Sequence, residues 1–276
     1  MPNEKIYIED TIVASASGEG SAGVNVIRVS GPDTEEIASI LLQSLPEPRV
    51  ATYTKFKNKN KETIDVGIAL YFPAPNSYTG ESILELHAHG GSIIGNSIIE
   101  EIISLGARQA QPGEFTKRAY LNGKIDLTQA EAVADLINSG TKRSAKAAIQ
   151  SLTGKFSNLV KSLDEQLTKL RLFVEASIDF PEEDINFLAD EKLIDEISSC
   201  NSLYKSLISG ASSGEILRNG VRVAIIGLPN AGKSSLLNLL SDTDKAIVTD
   251  IAGTTRDILN VSVDIDGILF DFFDTA

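Results

Sequence analysis

The sequence predicts a multidomain α/β fold in three stretches, and shifts in hydrophobic period mark the joints between them. Residues 1 to about 122 mix short apolar runs with segments of helical spacing, the pattern of an α+β unit. Residues 124 to about 210 keep helical spacing almost throughout. From Val221 a strand leads into a glycine-rich loop and another helix, the opening of a doubly wound α/β unit. A chain of 276 residues, 42% of them hydrophobic, holds two domains or three small ones with cores of their own.

In the first stretch, Val24–Val29 is a short apolar run and reads as a strand. A helix starts at Gly31-Pro32-Asp33-Thr34-Glu35-Glu36, with Asp33 as N-cap and Glu36 three residues later. Asp65–Phe72 and Ser82–His87 read as strands, and Ser92–Leu105 as a helix ended by Gly106. Lys57-Asn58-Lys59-Asn60-Lys61 reads as a solvated loop. In the second stretch, Leu152, Phe156, Leu159, Leu163, Leu167, Leu170 and Val174 recur every three or four residues. That spacing predicts a helix that packs lengthwise on others. Pro181 ends the pattern, and a further helix carries Leu193, Ile197, Cys200, Tyr204 and Leu207 on one face. Ala211-Ser212-Ser213-Gly214 reads as a linker. In the third stretch Val221–Ile226 is a strand, Gly227–Ser234 a loop and Ser235–Leu240 the start of a helix. Ile258–Ile265 and Ile268–Phe273 flank Asp266-Gly267, a hairpin signal. The chain then stops at Asp274-Thr275-Ala276, inside an expected doubly wound sheet, so it reads as part of a longer protein.

Composition narrows the function classes. No apolar run nears the roughly 18 residues of a membrane span, and the polar start Met1-Pro2-Asn3-Glu4-Lys5 lacks a signal peptide's apolar middle. The single cysteine, Cys200, excludes an internal disulfide framework, fits a reducing cytoplasm and sits where packing needs it. Net charge is −13, and Asp179–Glu196 holds eight acids against one lysine. Such a chain does not bind nucleic acid over a wide basic face; contact with RNA requires a local basic site, a partner or further sequence.

The chemistry is concentrated near the end. Gly227-Leu228-Pro229-Asn230-Ala231-Gly232-Lys233-Ser234 matches G-x-x-x-x-G-K-[ST] after an apolar strand and before a helix. The glycines let backbone N–H groups curl around phosphate oxygens, and the helix adds its positive end. Asn230, Ala231, Gly232, Lys233, Ser234 and Ser235 are therefore expected to hold the phosphates. Lys233 supplies the cation and Ser234 a hydroxyl for Mg²⁺. Asp274 closes an apolar strand where a carboxylate holding Mg²⁺ through water belongs, with Thr275 and Ala276 beside it. Between them, Thr249, Asp250, Ile251, Ala252, Gly253, Thr254 and Thr255 form a switch-like loop, and Thr255 is the expected Mg²⁺ ligand.

These motifs resemble the G1, switch I and G3 segments of translation-factor-like GTPases. Two further blocks sharpen the resemblance: Pro75–Glu81 followed by His89-Gly90-Gly91, and Pro112–Ala119 with Asn122-Gly123-Lys124, Asp126-Leu127 and Gln129–Ala132. Together they resemble the MnmE/TrmE family of tRNA uridine-modifying GTPases over essentially the whole chain. The resemblance implies a folate-binding and dimerisation domain at 1–122, the first part of a helical domain at 123–216 and a partial P-loop GTPase domain at 217–276. It implies a cytoplasmic homodimer that hydrolyses GTP and works with a flavin-dependent partner protein. Together they would add a (carboxymethyl)aminomethyl group at C5 of the wobble uridine of certain tRNAs.

The resemblance also implies ligands. Arg28, Glu85 and Lys124 fall on the family's folate contacts, for 5-formyl- or 5,10-methylene-tetrahydrofolate, where a carboxylate suits a pterin edge and cations suit the glutamate tail. Asn230, with Thr249, Ile251 and Thr254, falls on a K⁺ cage that does the work of an arginine finger. The family's switch II acid and C-terminal cysteine fall beyond Ala276, so no catalytic residue is assigned. His87 and His89 share a face of one strand, but a strand-to-helix turn without further ligands argues against a metal. Two other classes share part of this pattern: a GTPase switch in ribosome or complex assembly, and a folate enzyme in which GTP only regulates. The assembly switch does not need the Pro75–Glu81 and Pro112–Ala119 blocks.

Overall fold

The computed structural model describes residues 10–18, 22–179, 191–228, 231–241, 246–247 and 260–274. The chain divides into two compact units, residues 1–130 and 131–276. No helix among the described residues is long and apolar enough to cross a membrane.

The first unit is built on a six-stranded sheet. Its strands are β1 (Ile12–Ser15), β2 (Val24–Ser30), β3 (Thr52–Lys57), β4 (Thr63–Phe72), β5 (Ile83–His89) and β6 (Arg108–Gln109), in the spatial order β3-β4-β5-β2-β1-β6. All neighbours are antiparallel except β1 and β6. The helices α1 (Thr34–Leu42) and α2 (Ser92–Ser104) contact these strands and share one core with them. The two-residue period of a strand decides what goes where. Ile27 and Val29 of β2, and Leu84, Leu86 and Ala88 of β5, enter the core with Ile37, Leu41, Ile98 and Ile102 of the helices. The residues between them, Arg28 on β2 and Glu85 and His87 on β5, therefore emerge on the opposite face. The β2–β5 register sets Arg28 directly across from Glu85. Helix α3 (Glu114–Leu121) follows β6.

The helix start at Asp33 differs from the capping box expected there. The Asp33 side chain makes no cap hydrogen bond. Its Oδ2 instead accepts from the Thr11 hydroxyl at 3.0 Å, and its backbone N–H donates back to Thr11 Oγ1 at 2.9 Å. The carboxylate ties the helix start to the strand region rather than closing the helix on itself.

The second unit holds α5 (Lys142–Leu152), α6 (Lys155–Asp179), α7 (Glu191–Asn219) and a four-stranded sheet; α4 (Leu127–Ile137) straddles the division between the units. α5, α6 and α7 pack on one another. The apolar seam predicted to begin at Leu152 is interrupted at Thr153-Gly154, where Gly154 has φ 83°, so Leu152 belongs to α5 and the α6 seam starts at Phe156. Leu159 and Leu167 on it are 41% and 51% exposed. Cys200 is buried on α7, as its stripe predicts. The linker expected at Ala211–Gly214 is helix: α7 runs through it to Asn219. Glycine and serine cost at most about 1 kcal/mol each in a helix, and Leu207, Ile208 and Ala211 keep an apolar stripe running opposite Phe156 and Val160 of α6. Pro181 lies outside the described residues.

The second sheet has β7 (Val221–Ile225), β8 (Ala246–Ile247), β9 (Asn260–Ile265) and β10 (Ile268–Asp274), ordered β7-β10-β9-β8, with β10 parallel to β7 and antiparallel to β9. The hairpin forms where Asp266-Gly267 predicts it. Both residues have positive φ, 52° and 83°, as a primed two-residue turn requires. α8 (Lys233–Ser241) packs on β9 and β10 and begins two residues before the expected Ser235, so Lys233 and Ser234 form its first turn rather than the end of the loop.

Candidate functional site

The first unit brings Arg28 and Glu85 together, and adds two rings that spacing alone does not reveal. Arg28 Nε donates to Glu85 Oε1 at 2.8 Å, and its Nη2 lies 2.7 Å from the same oxygen. The guanidinium carbon stands 5.5 Å from the ring centre of Tyr78 and 5.6 Å from that of Phe115, within cation–π range of both. Among the described residues, Arg28 Nη1 and Glu85 Oε2 take no hydrogen bond; His87 Nε2 stands 3.9 Å from Oε2. The result is a largely buried ion pair bounded by aromatic faces, with one donor and one acceptor uncommitted among the described residues. Lys124, the third expected contact, donates from Nζ to the Pro75 carbonyl at 3.0 Å. It reaches the same loop through Gly80, whose φ is 81° and where a Cβ would press on Asn122 Cβ at 3.2 Å and Lys124 Cγ at 3.3 Å.

A buried arginine holds this arrangement in place. Arg118 of α3 is 2% exposed. Its Nη1 donates to the Asp10 carbonyl at 2.7 Å and to both Glu81 oxygens at 3.2 Å, and its Nη2 donates to Asp10 Oδ1 at 2.5 Å and Glu114 Oε1 at 3.1 Å. Glu81 also accepts from the Ser30 hydroxyl at 2.7 Å. The segment Ser77–Glu81 is thereby anchored to α3 and to the end of β2. Tyr78 bonds Thr116 across the same gap at 2.9 Å, and Asn122 donates to the Thr79 carbonyl at 2.7 Å. Tyr78 and Phe115 thus meet over Arg28 because the segments that carry them are clamped together.

Charge follows this geometry. Arg108 shares Asp10 and Glu114 with Arg118, bonding each carboxylate at 2.6 Å. The hydrogen bond from Arg108 holds the Glu114 carboxyl down at about 2 against the opposing effect of burial, with Gln111 N–H and Arg118 assisting. Burial would raise Asp10, but hydrogen bonds from both arginines outweigh it and leave its pKa lowered. Arg118 is raised, since its carboxylates outweigh the cost of its own burial.

His87 and His89 do not act together. His89 Nδ1 pairs with Asp65 at 2.8 Å, while His87 faces Glu85, and no group of three or more metal-ligating side chains occurs among the described residues.

The second unit places the glycine-rich loop between β7 and α8. Gly232 has φ 84°, a conformation that favours glycine. Lys233 opens α8 and turns its ammonium back into the loop, where Nζ donates to the carbonyls of Gly227 and Leu228, each at 3.1 Å. Ala231 N–H bonds the Leu228 carbonyl at 3.2 Å, and Ser235 follows on the helix. The sheet register sets Asp274 opposite Ile225, two residues before Gly227, so the end of β10 meets the mouth of the loop. Asn230, Thr249, Asp250, Ile251, Ala252, Gly253, Thr254, Thr255, Thr275 and Ala276 lie outside the described residues, as do the side chains of Ser234 and Asp274.

Comparison with known proteins places the chain in one family. A family model described as GTP-binding protein TrmE N-terminus matches residues 11–124, and one described as MnmE helical domain matches residues 127–270. The curated tRNA modification GTPase MnmE of Coxiella burnetii (strain RSA 493 / Nine Mile phase I) is 51% identical over 267 residues, covering 97% of this chain and 59% of that protein. The proteins of the same name from Hydrogenovibrio crunogenus (strain DSM 25203 / XCL-2) and Yersinia pestis bv. Antiqua (strain Angola) are each 50% identical, with the same coverage of both chains. The chain therefore spans about three fifths of the length of these relatives.

The arginine–carboxylate cluster predicts an acid-labile first unit. Glu114 is held at about 2 in the fold against 4.5 unfolded, so its contribution is present above pH 4.5 and is lost as pH falls toward 2. A shift of that size corresponds to at most about 3 kcal/mol, and less here because Arg108 is half-exposed to screening solvent. Glu114→Gln should flatten the decline of Tm between about pH 4.5 and pH 2. A variant as pH-sensitive as the wild type across that window contradicts the assignment.

Proposed function

The chain belongs to the MnmE/TrmE family, and from that premise we propose that it forms the N-terminal and helical parts, and the start of the nucleotide domain, of a GTPase that acts in tRNA modification. The observation that carries the proposal is identity of about half over 97% of the chain to curated tRNA modification GTPases, combined with a strand–loop–helix that turns Lys233 into the phosphate-binding loop. In this reading residues 1–122 bind folate and dimerise, 123–216 begin the helical domain, and 217–276 begin a doubly wound P-loop GTPase domain. The protein works in the cytoplasm as a homodimer with a flavin-dependent partner. Their product is a (carboxymethyl)aminomethyl group at C5 of the wobble uridine of certain tRNAs.

At the nucleotide site, Lys233 Nζ exchanges its two loop carbonyls for oxygens of the β- and γ-phosphates. Backbone N–H groups from Asn230 to Ser235 take the remaining phosphate oxygens. Ser234 and Thr255 would hold Mg²⁺, with Asp274 acting through water, and the ion would neutralise charge between the phosphates. Asn230, Thr249, Ile251 and Thr254 would hold K⁺ where charge develops during transfer.

At the folate site the residues fit a flat heterocycle. Glu85 Oε2 offers an acceptor and Arg28 Nη1 a donor, and Tyr78 and Phe115 offer faces for stacking. Lys124, on the adjacent loop, suits the carboxylates of the glutamate tail. Bound there, tetrahydrofolate would supply the one-carbon unit for the wobble base.

Two measurements on the full-length protein test these sites. Glu85→Ala should weaken 5-formyltetrahydrofolate binding about ten- to a hundredfold, the effect of losing a charged hydrogen-bond partner worth roughly 1.5–3 kcal/mol; wild-type affinity in a folded, dimeric variant, read by calorimetry, contradicts the folate assignment. GTP should turn over faster in K⁺ than in Na⁺, and Asn230→Ala should erase that difference while nucleotide affinity stays near wild type. Equal turnover of the wild type in the two salts sinks the K⁺ assignment.

A further inference from the structure

A chain of net charge −13 needs a local basic site to meet RNA, and the helical stretch after Asp135 offers one. Between Asp135 and Asp164 the sequence carries Lys142, Arg143, Lys146, Lys155 and Lys161 and no acid, where the chain's average frequency would place about four. The structure leaves all five exposed, three of them on one helix. Lys142, Arg143 and Lys146 lie one helical turn apart on α5 and are exposed, as is Lys155 just past the Thr153-Gly154 turn. The other side of α5 is its packing face, with Ala148 buried and α6 and α7 against it.

Stability does not account for these charges. None of the five cations forms an ion pair among the described residues. Lys142 and Arg143 occupy the first turn of α5, the end where the helix dipole disfavours positive charge. The helix start is fixed by other means. Thr141 caps Ser144 N–H and donates to the Gly267 carbonyl at 2.9 Å, and what Arg143 packs against Gly267 is its apolar Cβ–Cδ stem, which glutamine keeps. The patch is therefore held on a well-anchored helix about 16 Å long, a span that meets a few successive phosphates of one nucleic-acid strand.

We propose that the outer face of α5, carried by Lys142, Arg143 and Lys146, together with Lys155 at the start of α6, binds the sugar–phosphate backbone of the tRNA. The proposal rests on the tRNA reading above and adds where this chain touches the RNA. The chain's net charge of −13 repels the polyanion overall, so the patch also bears on the orientation in which RNA approaches.

The test uses the full-length protein and purified bulk tRNA, with Kd measured by fluorescence anisotropy from about 0.05 to 0.3 M salt. The variant Lys142→Gln/Arg143→Gln/Lys146→Gln should weaken binding at least about tenfold near 0.1 M salt. It should also make the plot of log K against log salt shallower by about 2, as lost phosphate contacts require. Thermal melting and GTP turnover without tRNA should match the wild type. The control Lys57→Gln/Lys59→Gln/Lys61→Gln, which removes the same charge from the β3–β4 turn, should bind as the wild type does. Unchanged affinity and slope in the α5 variant overturn the proposal, as does an equal loss in the control. Loss of binding to a polyglutamate of matched charge, with tRNA binding intact, overturns it in favour of an acidic protein partner. The parent reading fails separately, if a deletion strain keeps its wobble-uridine modification by nucleoside analysis.

Discussion

Arg118 is the constraint on which the first unit's site depends. Burying a guanidinium strips its hydration, and that cost is met only if its hydrogen bonds are supplied by the protein. The three carboxylates of Asp10, Glu81 and Glu114 supply them at 2.5–3.2 Å. These groups come from three separate places in the sequence. A buried ion cluster of this kind contributes little net stability compared with an apolar core, yet removing one member leaves uncompensated charge at a cost of about 3–5 kcal/mol. Its effect is thus to fix positions. The loop that ends at Glu81 cannot move off α3 without exposing that imbalance.

Everything at the Arg28–Glu85 pair follows from two such fixings. The sheet's pleat and the β2–β5 register put the pair on the face away from the core. The Arg118 cluster then holds Tyr78 and Phe115 beside it. The glycine-rich loop is set by a different device, the parallel pairing of β7 with β10. That pairing aligns the end of one strand with the entry to the loop between Gly227 and Lys233. Both sites use the same economy: backbone hydrogen bonding sets register, and a single basic side chain, Arg118 or Lys233, draws carboxylates or carbonyls inward.

Local signals were legible where one residue type answers one need. Asp266-Gly267 announces its hairpin because positive φ at two successive positions demands such residues. The apolar run, the glycines and Lys233 announce a strand, a loop and a helix in that order, as found. Cys200 follows its apolar stripe into the core. Short strands were harder. β3 and β1 are short, and β3 carries Tyr53 at 77% exposure with alternating lysines, so its period-2 pattern reads as loop. The helix α3 escaped notice for a related reason: eight residues with little apolar content. Glu114 and Arg118 stand four apart in the order that favours a helical ion pair, and that spacing was the available sign of the clamp. Ala211–Gly214 misled because small residues suggest a break, while α7 is set by the apolar residues on either side. Tyr78 and Phe115 lie 37 residues apart, and nothing local in the sequence brings them to one arginine.

Amide hydrogen exchange in the variant Arg118→Met tests the clamp most directly. Removing the guanidinium leaves Asp10 and Glu114 paired with Arg108 and takes both Arg118 hydrogen bonds from Glu81, while methionine preserves the bulk of the stem. The account predicts exchange at least about tenfold faster in residues 76–82 and 114–121, with the amides of β2, β4 and β5 protected as before. Protection in both segments that equals the wild type would contradict it.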